Sequence, residues 1–70
     1  MNTLQVEVVQ LFRARSGPYS VVVAAPGWLE ARETATVWAK SVHGVDIGSL
    51  AWHVRRARSV PDNAVVVVGR

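Results

Sequence analysis

The sequence predicts a small α+β domain with elements in the order helix, strand, helix, helix, strand. Three observations carry this reading. Two valine runs, Val21-Val22-Val23 and Val65-Val66-Val67-Val68, have the length and β-branched character of buried strands. The stretch from about Leu29 to Val42 places Leu29, Ala35, Trp38, Ala39 and Val42 as candidate buried positions of a helix. The stretch from Ile47 to about Ser59 repeats apolar residues at Ile47, Leu50, Val54 and Ala57, a stripe with helical spacing.

The first segment, about Thr3 to Arg15, supports two readings. Leu4, Val8, Leu11 and Phe12 fit a helical stripe, while Leu4, Val6 and Val8 fit strand alternation. Its thirteen residues are long for a strand and favour the helix. Asn2 or Thr3 then supplies the N-cap, and Gly17-Pro18 ends the segment. If the segment is instead a strand, it pairs with Val21 to Val23 as a hairpin. The second segment, Tyr19 to Ala25, is a strand punctuated by Gly17-Pro18 and Pro26-Gly27. In the third, Glu30 and Glu33 lie in the first turns, where the helix dipole favours anions. Gly44 is placed to end that helix in the left-handed conformation. Asp46 is a candidate cap for the fourth segment. Pro61 and Asp62-Asn63 form the turn before the last strand, which can pair with Val21 to Val23.

Seventy residues allow a single domain, which buries roughly 60% of its unfolded surface. Half of the residues are hydrophobic, enough for one small core. There is no cysteine, so no disulfide or thiolate-bound metal holds the fold. Eight Lys and Arg against five Asp and Glu leave a net charge of +3. That balance is compatible with a polyanionic partner. Three of the eight cations, Arg55, Arg56 and Arg58, fall within four residues. The N-terminus lacks the basic and apolar regions of a signal peptide, and no run is long enough to span a bilayer. The expectation is therefore a cytoplasmic protein with no membrane partner. The Ala, Val and Arg bias suggests a GC-rich bacterial or phage coding sequence.

Two helices separated by Val42-His43-Gly44-Val45-Asp46 make a helix–turn–helix candidate, whose second helix, at about 47–59, enters the major groove of DNA. The segment Ser49-Leu50-Ala51-Trp52-His53-Val54-Arg55-Arg56-Ala57-Arg58 resembles the recognition helix of OmpR/PhoB-type winged-helix domains. Ser49, Leu50, His53, Val54, Arg56 and Arg58 carry the match, and Ala57 stands where that family has leucine. The resemblance is partial, over roughly residues 37–70, and the wing is incomplete. It implies duplex DNA binding by Ser49, Trp52, His53, Arg55, Arg56 and Arg58. Arg56 would read a guanine edge or hold phosphate, Arg55 and Arg58 would hold the backbone, and Ser49 would donate to phosphate. Trp52 suits either a thymine methyl or the core. The implied role is a small transcriptional regulator or a phage or plasmid nucleoprotein factor. Sequence specificity in so small a module calls for a homodimer or tandem sites.

The other functional class is a protein-interaction adaptor. It would use Val21 to Val23 or Val65 to Val68 as an edge strand, or Trp28, Trp38 and Trp52 as anchors at a partner protein. An RNA-binding reading lacks a recognisable aromatic motif. Enzymatic activity is not expected: Glu7, Glu30, Glu33, Asp46 and Asp62 are scattered, and there is no Gly-rich phosphate loop. No catalytic residue, metal ligand or cofactor is assigned, since His43, Asp46 and His53 match no metal-site spacing.

Overall fold

The computed structural model describes residues 9–60, 62 and 64–69. The described chain is a mixed α+β unit with one helix and a four-stranded sheet. Strand β1 (Gln10–Ser16) and β2 (Tyr19–Ala25) form an antiparallel hairpin, followed by helix α1 (Trp28–His43). A single 3-10 turn (Ser49–Ala51) leads into β3 (His53–Arg56), and β4 (Val66–Val68) comes last. The sheet order is β3-β1-β2-β4. Strand β3 runs antiparallel to β1, and β4 runs parallel to β2. The chain between β3 and β4 therefore passes from one edge of the sheet to the other.

The core follows from period-two alternation meeting a stripe of small residues. Phe12 and Ala14 of β1 and Val21, Val23 and Ala25 of β2 point to α1 and are buried. Ala31, Ala35 and Ala39, each one turn apart on α1, are fully buried against them. Alanine methyls let the helix lie close on the valine surface. The helical segment is as the sequence predicts, and of its candidate buried positions Ala35 and Ala39 are fully buried. Leu29 and Val42 are exposed and Trp38 is only half-buried, because the alanine row faces the sheet instead. Gly44 ends α1 at φ 66°; its N–H donates to the Lys40 carbonyl, and the N–H of Val45 donates to the Ala39 carbonyl. The valine runs form strands and pair as the sequence predicts, in parallel register Val22 to Val66 and Val23 to Val67.

Two predicted helices are absent from the described residues. The first segment is a strand from Gln10 onward: Arg13 and Arg15 alternate with Phe12 and Ala14. The tight connection Gly17-Pro18, with Gly17 at φ 58°, turns it back on β2. This is the hairpin of the alternative reading, while the expected caps Asn2 and Thr3 lie outside the described residues. The helix expected at 47–59 is replaced by the 3-10 turn and β3. Its intended buried stripe fails at Leu50, which is 87% exposed. Trp52 and Val54 instead alternate with His53 and Arg55, which suits a strand that covers β1. With no second helix there is no helix–turn–helix, and the order helix-strand-helix-helix-strand gives way to strand-strand-helix-strand-strand. Asp46 caps no helix and pairs with Lys40 at 2.7 Å. The predicted turn residues Pro61 and Asn63 lie outside the described residues. Among the described residues, no helix is long and apolar enough to cross a membrane.

A candidate nucleic-acid interface

The residues of β1 that do not face α1 point to the other side of the sheet. That side is covered over β2, where Val22 lies opposite Arg13 and is buried, and is exposed along β1 and β3. Arg13 and Arg15 are therefore exposed there. Register with β3 sets Arg13 directly opposite Arg55 and Arg15 directly opposite His53. Side chains opposite one another share a face of the sheet. The outer ribbon of β1 and β3 thus presents Arg13, Arg15, His53 and Arg55 together. With Gly17 and Val54 they line a groove of about 700 Å³.

The electrostatics of this ribbon are one-sided. Like charges placed directly opposite on neighbouring strands destabilise a sheet. Among the described residues the single ion pair is Lys40–Asp46, which lies away from the ribbon. Glu30 and Glu33 sit on α1, across the sheet. Asp62 borders an adjoining groove with Arg13, Ser20 and Val22, and makes no ion pair with Arg13. Among the described residues no carboxylate forms an ion pair with the arginines of the ribbon.

The predicted DNA-contacting residues divide between locations. His53 and Arg55 lie on the ribbon. Arg56 pairs with Phe12, so it leaves β3 on the helix side and borders a groove with Trp28 and Gln10. Arg58 is exposed beyond the end of β3. Ser49 begins the 3-10 turn and is half-buried. Trp52 is 6% exposed and belongs to the core, where a nucleic acid does not reach it. Arg13 and Arg15 were not among the predicted site residues. The alternation Phe12-Arg13-Ala14-Arg15 is the signal that points to them once the segment is read as a strand.

The adaptor features also divide. Val21 to Val23 are central and buried, so they form no edge, whereas β4 is an edge strand. The three tryptophans do not form one exposed cluster. Trp52 is core, Trp38 packs edge-on against His43 at 4.8 Å, and Trp28 is exposed with the Arg32 guanidinium 5.1 Å above its ring.

None of the five Trp, Tyr and Phe side chains lines the basic groove. Among the described residues, no group of His, Asp and Glu is placed to hold a metal ion. No known protein family, curated protein or solved structure matches this chain.

Proposed function

We propose that the protein binds duplex DNA through the open face of the β1–β3 ribbon. The observation that carries this reading is the cross-strand pairing of Arg13 with Arg55, beside Arg15 opposite His53, with no ion pair to a carboxylate among the described residues. Such an arrangement costs stability in the free protein and is relieved by a polyanion. A two-stranded ribbon fits the major groove, where arginine binds phosphate or takes guanine in a bidentate contact. The lack of aromatic side chains in the groove favours a duplex over a single strand, whose bases need stacking platforms.

Fluorescence-anisotropy titration with random-sequence duplex DNA at several salt concentrations tests the proposal. Wild type should bind with affinity that falls linearly in log–log form with salt. The slope should flatten by about 0.9 for each phosphate-binding arginine lost in Arg13→Ala/Arg15→Ala/Arg55→Ala. Arg56→Ala, on the helix side of β3, should weaken binding less than Arg55→Ala. A folded wild type that does not bind at low salt removes the proposal.

A further inference from the structure

We infer that the groove between Trp28 and Arg56, on the helix side of β3, takes an unpaired nucleotide from a DNA strand that leaves the duplex at the β3 edge. The inference rests on the DNA reading above and extends it to the form of DNA bound best, a duplex with a single-stranded extension.

The groove forms where three elements meet at one end of the sheet. Gln10 begins β1, Arg56 ends β3, and Trp28 begins α1. With Phe12 and Arg55 they line a space of about 410 Å³, within the span of roughly 300–1,000 Å³ typical of small-ligand clefts. Trp28 is 56% exposed and belongs neither to the core cluster nor to the residues packed on it. Tryptophan is usually highly buried, so an indole left outside the core is a candidate anchor for a partner. The Arg32 guanidinium, one turn along α1, sits 5.1 Å from the ring centre. That contact orients the indole from one side and keeps a flat apolar surface at the groove.

The charge of the groove is of one sign. Arg55 and Arg56 are both exposed, and no carboxylate among the described residues lines the groove or pairs with either. The Glu30 carboxylate lies against Gly27, so the start of α1 already has an anion of its own. A ligand that fits needs a planar ring for Trp28 and an anion for Arg56. A nucleotide carries both in one unit.

Continuity makes the occupant part of a bound strand. Arg55 borders both this groove and the basic groove of the ribbon. Successive residues of a strand point to opposite faces, so Arg55 and Arg56 straddle β3, and β3 is an edge. A strand whose phosphates are held by Arg13 and Arg55 can pass over that edge to Arg56 and Trp28. A duplex cannot make this turn with its bases paired, whereas an unpaired base is free to swing out and stack. Every base has a π-face, so the platform accepts any sequence.

Anisotropy titration of the full chain tests this with a blunt duplex and the same duplex carrying a short oligothymidine extension. A third duplex carries an abasic deoxyribose-phosphate extension of equal charge, which separates stacking from electrostatics. Wild type should favour the thymidine extension over the abasic one by about 5- to 150-fold. Trp28→Ala should abolish that preference, with circular dichroism and blunt-duplex affinity unchanged. Trp28→Tyr, which keeps a ring, should retain part of it. Arg56→Ala should weaken binding of both extended duplexes alike. Equal affinity for the two extensions overturns the inference, as does a preference that survives Trp28→Ala; in either case salt-dependent binding of the blunt duplex leaves the DNA reading standing. If no duplex binds, oligothymidine alone decides. Quenching of tryptophan fluorescence that is lost in Trp28→Ala keeps the nucleotide platform and removes the duplex reading, and an absence of quenching removes both.

Discussion

The two faces of β1 differ by a single step along the chain and follow opposite rules. Phe12 and Ala14 point to α1 and lie in a core that, among the described residues, holds no buried polar or charged residue. Arg13 and Arg15 point the other way, toward Arg55 and His53. One side of the strand is optimised for packing, and the other keeps repulsive neighbours that packing alone would not select. The contrast teaches where to look for function. A surface that costs stability in isolation is a surface suited to a partner.

Substitutions on the two faces should therefore separate stability from binding. The largest effect is expected on the covered face. Phe12→Ala removes a ring that is buried against the alanine row and should cost about 3–5 kcal/mol. Urea unfolding measures it, and a loss below about 1 kcal/mol would mean that the core is not closed around Phe12.

The sharper contrast comes from Arg55→Glu, which turns the Arg13 pair from like to opposite charge. Stability should rise by about 0.2–1 kcal/mol while DNA affinity falls. Thermal unfolding and anisotropy read the two quantities on one sample. A variant that loses stability as well would show that the ribbon is not strained by its own charges. The smallest effect belongs to a site on neither face. Lys40→Ala breaks an exposed ion pair with Asp46 and should change stability by less than about 0.5 kcal/mol, with DNA affinity nearly unchanged.

Much of the covered face was legible in the sequence, and much of the open face was not. The valine runs and Gly44 act through local chemistry: β-branched packing in one case, a left-handed cap in the other. Neither needs a distant partner to declare itself. His53 to Arg56 is different. This strand is four residues long, too short for a clear period-two signal, and it is flanked by Leu50 and Ala57, which complete a convincing helical stripe. The segment is a strand because β1 offers it an edge, which is tertiary information. The same confusion hid Arg13 and Arg15. Reading thirteen residues as one element masked the alternation within the seven that form β1. The basic cluster at Arg55 was visible, but its grouping with β1 depends on a register that composition does not encode.

The placement of β4 also divides β2 along its length. Val22 donates its N–H to β4, whereas Val21 and Val23 point their backbone groups to β1. The link from β3 to β4 spans the sheet, so β4 is the strand that detaches without breaking the hairpin or the seat of the helix. Neighbouring amides of one buried strand should then exchange with solvent through different openings. Val22 should exchange with release of β4, and Val21 and Val23 only with unfolding of the whole domain.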